Sequence, residues 1–269
     1  MTATVVVPTR DRPEALRRCL AAVRAQRHVQ LDIVVVDDGS RSSEQVSAVA
    51  GEFAARVVRL EGKGPAAARN AGARVVATDR VLLLDDDCVP RAGWAAALVG
   101  DVPHLPREVV AGGVEAPRNA PVWLRASERL AVSAEREAGF FRTLNLSCGA
   151  DFLREVPFDE TFPGAAGEDR DWCFRAEAAG AVFVREPGAI VVHCAEMGAR
   201  AFLRQQLRYG RAVDLLRRRG SHVAVPARAR RRGLLDGFGD GALVGATMVA
   251  GQAVVAVGYL LERWSRRPR

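Results

Sequence analysis

Short apolar runs punctuate the first third of the chain at regular intervals. Thr4–Pro8 (TVVVP), Leu31–Val36 (LDIVVV), Val57–Leu60 and Arg80–Leu84 each suit a buried strand. Between them the apolar positions change period. In Pro13–Gln26, Leu16, Cys19, Leu20 and Val23 fall at helical spacing, and Pro13 is placed to start the helix. Ser43–Ala55 and the small-residue segment Ala66–Val76 read as two further helices. Strands alternating with helices of about a dozen residues predict parallel crossover units in an open doubly wound sheet. Ligands of such α/β sheets bind beyond the carboxyl ends of the strands.

From Trp94 to Arg142 the pattern is less regular, with a strand predicted at Val109–Val114 and helical material from Val122 to Glu137. Asn145–Gly149 leads into a short helix, Asp151–Val156. A glycine-rich loop then opens another helix near Glu168. Ala181–Val184 and Ala189–Val192 read as paired strands, and Arg200–Arg219 as a long basic helix. Gly220–Arg232 has the composition of a linker, and Gly241–Leu261 is 21 residues without a charge. The expected organisation is one domain over residues 1–220 and a basic linker with an apolar helix over 221–269. No internal repeat is visible.

Charge changes this picture at one end. The net charge of +7 is uneven: residues 200–269 hold 15 arginines against four acidic residues (+11), whereas residues 1–199 hold 24 basic and 28 acidic residues (−4). An anionic partner is therefore expected at the tail, a membrane surface rather than nucleic acid, because no interleaved aromatics or nucleic-acid-binding motif accompany the arginines. Gly241–Leu261 is long enough to span a bilayer, but its alanines and its glycines at 241, 245, 251 and 258 weaken it. Three expectations stand for it: a helix on the membrane surface, a helix packed on the domain or on a second copy in a homodimer, and a span. Five scattered cysteines, never spaced as CxxC, argue against a disulfide framework. The first residues run directly into a strand with no leader-like segment, so a cytoplasmic protein is expected, peripheral on the inner face of the plasma membrane if the tail binds lipid.

The candidate chemistry sits at strand ends. VLLLDDDCVP (Val81–Pro90) drives a buried run into three carboxylates, which raise one another's pKa unless a cation sits among them. Asp85 and Asp87 have the spacing to converge on one hard cation such as Mn2+ or Mg2+. A solvated acidic turn is the plain alternative. VVVDDGS ends the second strand on Asp37 and Asp38, suited to a nucleobase or ribose donor or to an Asx turn. In GKGPAAARNAG (Gly62–Gly72), Lys63 and Arg69 could contact a diphosphate, although no Walker loop is present. GEDRDWCFR places Glu168 and Asp169 at a helix start, where they either cap the helix or supply a general base. His193 follows an apolar strand and could complete a metal shell.

Taken in order, VVVPTRDRPEAL, VVVDDGS, GPAAARNAG, LLLDDDCVP and GEDRDWCFR resemble an inverting family 2 glycosyltransferase of the GT-A fold, over roughly residues 4–210. QQLRY (Gln205–Tyr209) is similar to that family's QxxRW element, with Tyr209 in place of Trp. The resemblance implies a mostly parallel twisted sheet flanked by helices, with the C-terminal helix as an appendage. It implies a nucleoside-diphosphate sugar donor and a hydroxyl acceptor, whether glycan, lipid-linked or small molecule. By the same resemblance Pro8, Thr9, Arg10, Asp37, Asp38, Lys63, Arg69 and Asp86 border the donor nucleotide, and Asp85, Asp87 and His193 hold the metal. Asp169 becomes the base with Glu168 beside it, and Gln205, Arg208 and Tyr209 face acceptor or product phosphate. The runner-up readings are a nucleotidyltransferase and a non-catalytic nucleotide-binding relative.

Overall fold

The structure is a computed structural model that describes residues 1–100, 105–162, 164–220 and 237–265. Most of the linker expected after Gly220, with Arg228, Arg230, Arg231 and Arg232, lies outside the described residues, as do Arg266, Arg267 and Arg269. In chain order the elements begin β1 (Thr2–Thr9), α1 (Pro13–Arg24), β2 (Gln30–Asp38), α2 (Ser43–Glu52), β3 (Arg56–Leu60) and α3 (Pro65–Val75). They continue with β4 (Arg80–Leu84), β5 (Cys88–Pro90), α4 (Trp94–Val99), β6 (Glu108–Glu115), α5 (Val122–Ala138) and β7 (Asn145–Gly149). α6 (Ala150–Glu155), α7 (Glu168–Ala178), β8 (Val182–His193), α8 (Ala199–Arg218) and α9 (Ala242–Ser265) complete the described chain.

Contacts divide the chain into two compact units, residues 1–115 with 141–194 and residues 116–140 with 195–269. The boundary expected at residue 220 abuts residues 221–236, which are not described. The first unit is one eight-stranded sheet in the order β3-β2-β1-β4-β7-β6-β8-β5. β3, β2, β1 and β4 are mutually parallel, as the alternation of strand and helix predicts. β7 then runs antiparallel between β4 and β6, and β5 antiparallel to β8, so the sheet is mixed. Val5, Val7, Ile33, Val35, Leu82 and Leu84 from three strands pack with Leu16, Leu20, Val46 and Trp94 in one buried core.

The strands expected at Ala181–Val184 and Ala189–Val192 are not paired with each other. They are the two halves of β8, both alongside β6 in parallel. The register jumps between Gly112 and Gly113, from Glu186 to Ile190, so residues 187–189 form an irregularity within one strand. Pro187 has no N–H for the ladder, and a bulge lets the strand pass it. Asn145 fills that place, its Nδ2 donating to the carbonyls of Gly113 and Ala189 at 2.8 Å each while its Oδ1 accepts from Trp94 Nε1 at 2.8 Å.

The second unit is helical. Ala126 and Leu130 of α5, Phe202 of α8, and Val244 and Met248 of α9 share a core, with Trp123 against Phe202 at 5.7 Å between ring centroids. α8 and α9 cross where both backbones carry glycine. A Cβ on Gly210 would stand 2.1 Å from the Val255 carbonyl oxygen, and one on Gly258 would stand 2.3 Å from that of Leu207.

Candidate active site

Because β1, β2 and β4 are parallel neighbours, Thr9, Asp37–Asp38 and Asp85–Asp87 emerge at one edge of the sheet. Backbone hydrogen bonds stitch the loops there. Ser40 Oγ accepts from the Asp11 N–H at 2.8 Å, and Asp11 Oδ1 accepts from the Arg41 N–H at 2.8 Å. Asp37 Oδ1 accepts from the Ser40 N–H at 2.9 Å, the Asx turn that DDGS allows, and its other oxygen pairs with Arg59. Asp38 spends both oxygens on loop 61–64, accepting from the N–H groups of Lys63 (2.7 Å) and Gly64 (2.9 Å). The Lys63 side chain is exposed, and that of Arg10 lies against Gly62. Pro8 is half-buried at the end of β1.

The three aspartates face three different ways. Asp86 is fully buried; its Oδ2 accepts from Thr9 Oγ1 at 2.6 Å and its Oδ1 lies 2.6 Å from Arg12 Nη2. Arg12 Nη1 donates to Asp87 Oδ2 at 2.6 Å, and Asp87 Oδ1 stands 3.4 Å from His193 Nε2. The antiparallel pairing of β5 with β8 sets Cys88 opposite His193, so Asp87, Cys88 and His193 place their ligand atoms within 4.8 Å of one another. Asp85 is outside that group; its Oδ1 accepts from Arg69 Nη2 at 2.9 Å.

Arg69 joins the aspartates to the start of α7. Lying buried on α3, it donates from Nη1 to Glu168 Oε1 at 3.3 Å, and its guanidinium stands 5.6 Å from the centre of the Phe158 ring. Asn70, the next residue, holds the backbone that leads to α7: its Oδ1 accepts from the Phe158 N–H and its Nδ2 donates to the Phe158 carbonyl. Phe158 stacks on Trp172 at 5.2 Å, and Trp172 Nε1 donates to the Val156 carbonyl at 2.7 Å. Gly167, at φ +89°, turns the chain so that Glu168 and Asp169 open the helix. Asp169 is half-buried. Its Oδ1 accepts from the Arg170 N–H at 2.8 Å, and its Oδ2 makes no hydrogen bond among the described residues.

These surroundings separate the carboxyl groups. Burial pushes Asp86 up to about 7 against the pull of Arg12. Burial would raise Asp87 as well, but His193 and Arg12 together hold it at about 2. Burial raises Glu168 despite Arg69. Burial and the adjacent Glu168 carboxylate raise Asp169 to about 7, with Arg69, the Arg170 N–H and Arg142 opposing. A carboxyl that titrates near neutral and keeps one oxygen unbonded is suited to proton transfer.

The residues also fit a divalent cation. Asp87 Oδ1 is buried without a hydrogen bond, and Asp85 is engaged through Oδ1 alone, so each outer aspartate keeps an oxygen. Asp87 and His193 offer adjacent oxygen and nitrogen ligands of the kind Mn2+ accepts, and Asp85, which stands outside that group, would add a second carboxylate by turning its other oxygen toward them.

Of the predicted residues, the structure brings Thr9, Asp86, Asp87 and His193 into one contact chain and Arg69, Asp85 and Glu168 into another. Asp37 and Asp38 fold the adjoining loops. Gln205, Arg208 and Tyr209 belong to the second unit, where Gln205 Oε1 accepts from Ser127 Oγ at 2.7 Å and the other two are exposed. Sequence reading missed Arg12, Asn70 and Arg59. Arg12 lies inside VVVPTRDRPEAL and Asn70 inside GPAAARNAG, and the unanswered charge of DDD was the signal that a cation had to lie nearby.

Comparison with known proteins adds a lineage. Residues 4–158 match the sequence family described as glycosyl transferase family 2. Over 226 residues, 77% of this chain, the sequence is 33% identical to a pre-mycofactocin glycosyltransferase of Mycobacterium tuberculosis, 46% of whose length is covered. It is 26% identical over 194 residues to glycosyltransferase AglE of Haloferax volcanii, covering 66% of this chain and 62% of that one. The chain thus spans about half the length of the mycobacterial relative. Among solved structures, the mannosyltransferase PcManGT of Pyrobaculum calidifontis, in complex with GDP-Man and Mn2+, superposes with a TM-score of 0.68 at 18% identity, over 98% of this chain and 88% of that one. Glucosyl-3-phosphoglycerate synthase of M. tuberculosis, with Mn2+, UDP and phosphoglyceric acid, gives 0.58 at 17% identity, over 81% and 78%.

Proposed function

Since this chain belongs to glycosyl transferase family 2 and is a glycosyltransferase of the GT-A type, we propose that it transfers a sugar from a nucleoside-diphosphate donor to an acceptor hydroxyl by a single inverting displacement, with Asp169 as general base. The observation that carries this reading is the bridge through Arg69, which ties the aspartate cluster to the start of α7. One buried guanidinium thereby couples the place suited to a diphosphate with the place suited to an acceptor.

In this mechanism Asp169 Oδ2 takes the acceptor proton as the hydroxyl oxygen bonds to the anomeric carbon. The bond from that carbon to the donor phosphate breaks, and its electron pair leaves on the phosphate oxygen. Attack opposite the leaving group inverts the anomeric configuration. Asp85, Asp87 and His193 would hold a divalent cation, which supplies charge neutralisation for the departing diphosphate. Arg12 holds Asp86 and Asp87 in place, Thr9 fixes the second oxygen of Asp86, and Arg69 keeps Glu168 turned inward beside Asp169. Asp38 shapes the wall of the donor site by holding loop 61–64. The neighbours solved with GDP-Man or UDP and Mn2+ support a UDP- or GDP-linked sugar as the donor class.

The test is a panel of nucleotide sugars with Mn2+ or Mg2+, read as release of nucleoside diphosphate and as the configuration of the new linkage. Release from one donor, with an inverted product and loss of transfer in Asp169→Asn, is the expected result. Retained configuration, or pyrophosphate formed from a nucleoside triphosphate and a sugar phosphate, would overturn it.

A further inference from the structure

The outward side of α9 carries no polar group over most of its length. Leu243 (68% exposed), Val249 (47%), Val257 (50%), Leu260 (62%), Leu261 (43%) and Trp264 (70%) point away from the helical unit. Every other exposed residue between 242 and 261 is alanine. Positions 243, 246, 249, 253, 256, 260 and 264 repeat at three or four, so they form one stripe along the axis. The 24-residue helix is about 36 Å long, and the stripe runs along about 32 Å of it.

The opposite side is committed to protein. Val244 and Met248 enter the core with Phe202 and Leu130, and Gly251 and Gly258 are pressed against Phe202 and the Leu207 carbonyl. All three glycines of the helix are buried. The glycines that dilute its hydrophobicity therefore face inward, while the alanines face outward with the leucines and valines, and the outward side is more apolar than the average over the helix.

Cations border the stripe. Arg217 and Arg263 both stand against the Tyr259 ring, at 4.8 and 5.7 Å, and both donate to its hydroxyl. Arg204, Arg208 and Arg211 are exposed along α8. In the sequence, four arginines precede α9 between 228 and 232 and three follow it between 266 and 269. Pairing two copies through α9, in either direction, would set arginines against arginines. An anionic lipid surface instead offers acyl chains to the stripe and phosphates to the arginines. Trp264 at the end of the stripe suits the headgroup boundary.

We propose that the outward face of α9 docks the protein on an anionic membrane surface, with the helix lying in the interface plane. A span would strip the glycine-lined face from α5 and α8.

Flotation of the full chain with phosphatidylcholine vesicles, with and without phosphatidylglycerol, tests this without any sugar transfer, so its failure would leave the proposed reaction untouched. The protein should float with the anionic vesicles, bind neutral ones weakly, and be released by salt. Replacing Val257, Leu260 and Leu261 together by serine should lower binding roughly tenfold or more with the thermal melt preserved. Leu243→Ser with Trp264→Ser, at the two ends of the stripe, should do the same and serves if the triple variant melts early. Binding that these variants leave intact, or a wild-type protein that stays unbound with both vesicle types, would overturn the proposal. So would a lipid-free dimer, seen by light scattering, that the serine variants convert to monomer.

Discussion

At Asp169 burial and the neighbouring Glu168 carboxylate outweigh Arg69, and the group titrates near 7. A base must be ionised to accept a proton, so transfer should rise with pH through about 7 and level off above it. Asp169→Asn should lower kcat by about 10²- to 10⁴-fold and leave nucleotide affinity in place. A rate independent of pH between 5 and 8 would remove Asp169 from that role. The same shift has a stability consequence of definite sign. A carboxyl whose pKa is higher folded than unfolded favours folding fully below its unfolded value of 3.8 and loses that contribution as pH rises through about 7. Asp169→Asn should therefore melt above wild type at pH 8, with the gap closing toward pH 4, as scanning calorimetry would read. Asp169 could be singled out in the sequence as part of a glycine-led acidic pair opening a helix, where capping and a general base were both open until the family resemblance favoured the base. Arg12 was not. Arg10 and Arg12 flank Asp11, and only the left-handed backbone of Asp11, φ +55°, turns the second arginine toward Asp86 and Asp87 while the first goes to Gly62.

Among the elements, α3 shows how closely local sequence is matched to packing. Residues 66–73 are all buried, and a Cβ on Gly72 would stand 2.3 Å from Val6 Cγ1 on β1. The helix needs that approach to carry Arg69 and Asn70 to their partners. Gly72→Ala should cost roughly 1–3 kcal/mol by overpacking. Val6→Ala should recover part of this when combined with it, a favourable coupling in a double-mutant cycle. Urea denaturation midpoints of the four proteins measure it, and strict additivity would count against the contact. Buried strands and amphipathic helices such as β1, β2, β4 and α1 were readable because their periods are set by the core they face. β5 escaped notice at three residues. β8 was split in two at Pro187 and Gly188, because the bulge that carries the strand past them is completed from elsewhere, by β6 and by the side chain of Asn145.

For the molecule as a whole, the acidic cluster is set in a chain whose net charge is +7. Asp85, Asp86, Asp87, Glu168 and Asp169 stand against Arg12, Arg69 and His193. Sequence order could list these groups; it could not show that two arginines divide them, because the pairs join residues 75 and 99 positions apart. On the proposed mechanism, the division decides what a metal would be needed for. Arg12 already neutralises much of Asp86 and Asp87, so the fold itself does not require a cation there. Chelation alone should leave the melting temperature nearly unchanged. A nucleoside diphosphate brings further negative charge to an edge that is still acidic. At an effective dielectric of about 20, one unscreened carboxylate about 5 Å from a phosphate costs about 3 kcal/mol. Titration calorimetry with UDP and GDP should therefore show affinity falling by about tenfold or more when EDTA replaces Mn2+, and recovering when the ion is restored. Equal affinity with and without the ion would mean that the diphosphate binds away from Asp85–Asp87. A large loss of thermal stability on chelation would mean that Arg12 does not balance the cluster as its two ion pairs imply.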